Sequence, residues 1–508
     1  MRKISYLLLA LIMTPMAYAA PQDRSYVVLE KKSEGLPVTA MNITFRVGSA
    51  DDPKETLGLA HLTARLLREG GVKASNGLAA RSRAELEEFL FPFAADIHVS
   101  VAKEQISFTT TAAASDAHTV FNVLAQMITS PAFNEAEFSR IKAETLEALQ
   151  KQWPREDQEE LGKAVLEREI FGAEHPYAHV VEGTVAGVTA ASLENVKEFY
   201  VNLFTKKRLT VGLAGVIQPN VSTLAARVFK NLPEGVSSRA VVPPALDTKA
   251  LTLTLVKGPF DAVGVHLGEP LAFNRGSADF DAMYLMALGF GKHRSFVGRL
   301  MKSVRETRSM NYGTYSYIEE FPNGGAQLVE PTQVARQRQA FTIWGRPTPL
   351  NNGCFLLRLL HRETRALVEK GLTEEEFKLT QSHLVGNAPL LATGIERRLG
   401  YLIDSKFYGI AGDYLMRLQQ SAKRATRSQV HAVLKKNIHP DKMHFVVVTP
   451  EPEKFKEQIL GARCEIEYAA GTEKTPELLK EDSQIATYDL GLKPENIQII
   501  NSEAVFAK

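Results

Sequence analysis

The chain has 508 residues, 44% hydrophobic and 23% charged, which excludes a disordered polyelectrolyte and leaves room for two to four globular domains. Its 60 basic and 58 acidic residues give a formal charge of +2, and no basic run is interleaved with aromatics, which argues against nucleic acid as a partner. Two cysteines, Cys354 and Cys464, exclude a Cys-type metal site and leave the formation of one disulfide open.

Residues 1–19 read as a signal peptide: Arg2-Lys3, the apolar run Leu7–Met13, then Ala17-Tyr18-Ala19 before the cut. That run is too short to cross a bilayer and no second run reaches 18 apolar residues, so no membrane span is expected and the mature chain is placed in the periplasm.

The N-terminal domain is assigned to residues 20–231. Ile43, Phe45 and Val47 alternate as in a half-buried strand. Leu59, Leu62, Leu66 and Leu67 then repeat at helical spacing before Gly70-Gly71, predicting a buried helix. A helix runs from Arg83 to Phe91, and alternating residues from Asp96 to Thr110 predict paired strands. Helices follow over Ala113–Ile128, Glu135–Lys151 and Glu156–Ile170. His175 and His179 lie four apart, but Pro176 disfavours the helix that would aim both at a metal.

Ser192 caps a helix through Tyr200 that leads into the strand Leu209–Gly215. The same phrase returns 234 residues later: Ser192 falls on Thr426, Val196 on Val430 and Leu209 on Met443, with no gap. The chain therefore holds two copies of one α+β domain, each an antiparallel-rich sheet with helices packed on it. The linker is residues 232–248, rich in Pro, Gly and Ser. The second domain is 249–460 and the polar tail 461–508. Gly289-Phe290-Gly291-Lys292 lacks the spacing of a phosphate loop and follows a helix rather than a strand.

The order strand, acidic turn (Asp51-Asp52-Pro53) and helix (Gly58-Leu59-Ala60-His61) resembles the signature of the insulinase and pitrilysin family of inverted-motif zinc peptidases. That family's His-x-x-Glu-His helix holds zinc with two imidazoles and sets a Glu beside it as base. Here the register reads His61-Leu62-Thr63-Ala64-Arg65: the base position is Ala64, and the second ligand position is Arg65, which has no lone pair to give a metal. The third ligand, a Glu of a later helix, falls on Ala148. Glu147, one residue earlier, would be turned by about 100° around that helix. The resemblance therefore implies a degenerate zinc site on this chain, with no metal bound.

The segment Val304-Arg305 to Tyr312 resembles the family's carboxy-terminal segment, in which an Arg and a Tyr seven apart reach the substrate; those positions are Arg305 and Tyr312. The resemblance implies two homologous domains enclosing a cavity. It also implies a non-catalytic subunit whose same-family partner supplies the zinc for peptide hydrolysis, as in two-chain members such as the mitochondrial processing peptidase. The alternatives are a structural or assembly protein of the same fold, as in respiratory-complex core subunits, and a lone peptidase with a rebuilt metal site around His61.

Overall fold

The computed structural model describes residues 26–236, 241–295 and 297–508; the signal-peptide reading for 1–19 lies outside them. Five strands form the first sheet: β1 (Val27–Lys32), β2 (Val38–Phe45), β3 (His98–Val101), β4 (Ile106–Ala113) and β5 (Leu209–Gly215). The second uses β6 (Thr252–Lys257), β7 (Val263–Leu271), β8 (Thr314–Tyr317), β9 (Gln339–Thr348), β10 (His444–Thr449) and β11 (Ile497–Asn501).

The spatial orders are β1-β5-β2-β4-β3 and β11-β6-β10-β7-β9-β8. In each sheet the first strand of the repeat pairs parallel to the last, β1 with β5 and β6 with β10, while the others pair antiparallel. The one addition is β11, which pairs parallel to β6. Two copies of one topology is what the 234-residue offset of cap, helix and strand predicts.

Two helices hold the halves together by crossing between them. The helix Gln158–Phe171 of the first half lies on β7 and β10 of the second, and Ile395–Tyr408 of the second lies on β5 and β2 of the first. This explains a departure from expectation: β2 is buried on both faces rather than one. Ile43 and Phe45 enter the first core, while Ala40 packs with Ala214, Leu399 and Ile403 under the visiting helix. Small residues permit the approach: a Cβ on Gly212 would lie 2.7 Å from the Leu399 side chain, and one on Gly162 would lie 2.0 Å from His266 Nε2.

The tail is more structured than its polarity suggests. It carries the helix Pro476–Ala486, then β11, then the short helix Ser502–Val505. Phe506 joins the first core against Trp153, and the Val185 amide donates to the Phe506 carbonyl at 2.8 Å. Residues 497–506 thus stitch the second sheet to the first half. The predicted helix over Glu135–Lys151 is α-helical only to Glu147 and turns π-helical over Ala148–Gln152, just before Pro154, which has no N–H to donate. Cys354 and Cys464 pair, with Cα atoms 5.6 Å apart.

Close packing at Gly162 yields a test. Gly162→Ala should destabilise the protein by about 1–3 kcal/mol through overpacking against His266, and adding His266→Ala should recover part of the loss in thermal unfolding. Additive losses would show that the helix does not sit on His266.

Candidate functional site

The buried acidic turn sets the first wall. Asp52 accepts from the amides of Gly58 (2.8 Å) and Ala60 (2.7 Å), so one carboxylate caps the helix Leu59–Glu69 and fixes its start. Leu59, Leu62, Leu66 and Leu67 point into the core, and Gly71 takes the left-handed turn at φ +77. His61 and Arg65 are thereby turned into the space between the two halves.

At the second ligand position, Arg65 makes a two-pronged ion pair with Glu69, Nε–Oε1 2.8 Å and Nη2–Oε2 3.1 Å. Its Nη2 also reaches Glu144 Oε2 at 2.8 Å on the neighbouring helix Glu135–Glu147. Arg140 closes the circuit, donating to Glu69 (2.6 Å), Glu144 (2.8 Å) and Glu137 (2.8 Å). Burial pulls the Glu69 carboxyl upward, but the bonds from Arg65 and Arg140 hold it below its ordinary value. The same two guanidiniums hold Glu144 below its own. Burial, reinforced by the adjacent Arg65, lowers His61 to about 4, so it is a neutral imidazole at neutral pH.

These residues do not fit zinc. Ala64, at the base position, is fully buried at 0% exposure. Ala148 follows Glu144 by one turn and offers no donor, while Glu147 pairs with Lys151 at 3.1 Å in solvent. A guanidinium cross-linking two carboxylates occupies the place where a second imidazole would be needed. Among the described residues no three His, Cys, Asp or Glu side chains form a group able to hold a metal ion. His175 faces the Pro243 carbonyl, and His179 faces the Ser49 carbonyl with its Nε2 3.6 Å from Asp52 Oδ2.

Both halves line a cavity of about 770 Å³, its walls including His61, Arg65, Val99, Lys163, Glu320 and Trp344. Strand β3 is an edge strand of the first sheet, and its four residues face the cavity with alternating exposure. Its counterpart in the second sheet, β8, is buried along its length. His293 covers Tyr315 and Tyr317 there, with ring centroids 4.7 and 6.0 Å away, and Phe321 covers Tyr317 at 4.7 Å. The connection after β8 is also far longer: residues 318–338 join β8 to β9, whereas 102–105 join β3 to β4. One edge is open and the other closed.

The cavity floor is fixed by a buried ionic seam between the halves, which no sequence pattern announced. Lys103, 2% exposed, pairs with Glu167 at 3.1 Å; Glu167 also binds Arg336, which lies 3.4 Å from Glu320. Glu104 accepts from the Gln337 amide at 2.7 Å and from the Tyr177 hydroxyl.

Arg305 and Tyr312, which the resemblance implies reach the substrate, lie on the segment leading into β8. Neither is among the residues lining the cavity. Arg305 is half-buried on the π-helical turn Met301–Glu306, and Tyr312 is 81% exposed in the loop before β8. Between them the chain passes through Ser309 at φ +54, which turns it away from helical geometry.

Fold and site together define a two-domain, metallopeptidase-like architecture in which Arg65 cross-links Glu69 and Glu144 beside the cavity. Residues 26–174 match the model of the insulinase family, peptidase family M16. The chain is 23% identical over 435 residues, covering 83% of this chain and 91% of the relative, to a "non-peptidase homolog YmxG" of Helicobacter pylori. Its fold matches the "peptidase M16 inactive domain" of Pseudomonas fluorescens (TM-score 0.71, 24% identity, 84% of this chain and 96% of that one). It also matches the periplasmic protease PqqL of Escherichia coli (TM-score 0.62, 11% identity), covering 89% of this chain but 48% of that one, so it spans about half of the larger protein.

Two outcomes follow. Metal analysis of the purified chain should find no stoichiometric zinc; one zinc per chain would contradict the ion-pair reading. Glu69 and Glu144 sit below their ordinary value of 4.5 when folded. Their bonds to Arg65 therefore add stability that is complete above the unfolded pKa and is lost as pH falls through the folded pKa values. The stability gap between wild type and Arg65→Met in denaturant unfolding should be full at pH 7 and shrink toward pH 3. A gap that does not change with pH would count against the bridge.

Proposed function

We propose that this chain is the non-catalytic subunit of a periplasmic zinc peptidase complex, holding extended polypeptide in its cavity while a same-family partner carries the zinc and the general base. One observation carries the reading: β3 offers an unpaired strand edge inside a cavity, next to a helix whose Arg65 is cross-linked to Glu69 and Glu144. An extended peptide adds to such an edge through its own amides and carbonyls, independent of sequence. Closure of the β8 edge leaves β3 as the open counterpart of the pair. The similarity to the non-peptidase homologue of Helicobacter pylori supports the non-catalytic part of this reading.

A second reading, an assembly protein without a proteolytic role, is favoured by the position of Arg305 and Tyr312 outside the cavity wall. The two readings part on peptide binding. A fluorescent 12-residue extended peptide should bind the purified chain without being cut, and the same peptide N-methylated at alternate residues should bind at least about tenfold more weakly, the loss of roughly 1.4 kcal/mol of edge hydrogen bonding. Equal affinity for both, or no binding of either, would favour the assembly reading.

A further inference from the structure

We infer that residues 323–329 form a hinged lid that gates the cavity, carried by the second half and latched shut against the helix Gln158–Phe171 of the first. Its gating role rests on the polypeptide-holding reading above and controls when a chain enters or leaves. The lid is the tip of the long connection between β8 and β9, and its Asn323 and Gln327 line the cavity.

On either side of the tip the connection is fixed. Phe321 is buried in an aromatic cluster with Tyr317 and Trp344. Glu330 accepts from the Tyr284 hydroxyl at 2.8 Å, and its carbonyl accepts from Arg397 Nη1 at 2.9 Å. Between these two anchors only Gly324 is buried. Leu328 and Val329, the large apolar side chains of the tip, are 70% and 51% exposed, so hydrophobic burial does little to hold it down. The tip is folded on itself, with the Ala326 and Gln327 amides donating to the Asn323 carbonyl at 3.0 and 3.1 Å, and can swing as one piece. Asn323 stands at φ +52, in the left-handed region, and Gly324-Gly325 follow it, which places the freest backbone of the connection at the start of the turn.

Polar contacts close the tip instead. The Gly324 amide donates to Glu160 Oε1 at 3.0 Å, Arg294 Nη2 donates to the Gly325 carbonyl at 3.3 Å, and His293 Nε2 lies 2.9 Å from the Gln327 carbonyl. Of these, the bond to Glu160 is the one that crosses to the other half. Glu160 Oε1 also accepts from Lys163 Nζ at 2.6 Å, and that Nζ stands 4.0 Å from the centre of the Trp344 ring. Gly324 fits against this group only because it lacks a side chain: a Cβ there would lie 2.6 Å from Lys163 Nζ and 2.8 Å from the Trp344 ring. The latch is thus one amide held by a carboxylate and one glycine seated on an indole, and a swing of the tip undoes both. Trp344 lines the cavity, so the same swing uncovers part of its wall.

Hydrogen exchange of the full mature chain, followed by mass spectrometry, reads the opening, and stopped-flow binding of the fluorescent extended peptide reads its consequence. Glu160→Gln takes the charge off the latch, and Gly324→Val cannot seat against Trp344. Each should speed exchange across residues 323–329 by about tenfold, the scale of one hydrogen bond to a charged group. Exchange in β8 and β9 should keep its wild-type rate. Peptide association and dissociation should accelerate together by about tenfold and leave the affinity within about threefold, because a lid governs passage rather than the contacts of the bound chain. Unchanged exchange in both variants, or exchange that rises equally through β8 and β9, would overturn the lid whether or not a peptide binds. Faster exchange with wild-type peptide rates would overturn the gate while the cavity reading stands. If no peptide binds, the polypeptide-holding reading falls and the gate falls with it.

Discussion

Everything else in this molecule depends on the exchange of one helix between its halves. Each sheet is covered on its second face by a helix from the other repeat: Gln158–Phe171 over the second sheet, Ile395–Tyr408 over the first. Neither half can bury its own sheet alone, so separating them would expose apolar strands such as β2 and β10 on a whole face. The exchange sets the distance between the sheets and hence the cavity. The ionic seam of Lys103, Glu167 and Arg336 fixes that distance further, since parting it would leave buried charges without partners.

Within that frame the degenerate metal site is coherent rather than eroded. A zinc ion held by two helices fastens them to each other. Arg65, with Glu69 on its own helix and Glu144 on the next, fastens the same two helices through charge-assisted hydrogen bonds. The fully buried Ala64 removes the base and returns that position to the core. What remains at the surface of the cavity is a neutral imidazole, a set of ion pairs and an open strand edge.

Much of the fold was legible in the sequence because its signals are local. The caps at Ser192 and Thr426, the leucine spacing from Leu59 to Leu67 and the 234-residue repeat each depend on neighbours within a turn or two. The exchange of Ala64 and Arg65 was legible for the same reason, since i and i+4 positions share a helix face. The crossing helices, β11 and the Lys103 seam were not: their partners lie far away in sequence and leave no period. Arg305 and Tyr312 show the limit most clearly. A spacing of seven names two residues, but the chain between them leaves helical geometry through a positive φ at Ser309, and that turn has no signature when a serine stands where glycine would be favoured.

We propose that the first half grips a polypeptide at β3, beside the Arg65 cross-link. A crystal grown with an excess of zinc and an extended peptide tests it directly, with anomalous scattering recorded at the zinc edge. The account predicts peptide density paired along His98–Val101 and no zinc peak beside His61. A zinc ion bound at His61, or a peptide seated away from β3, would contradict it.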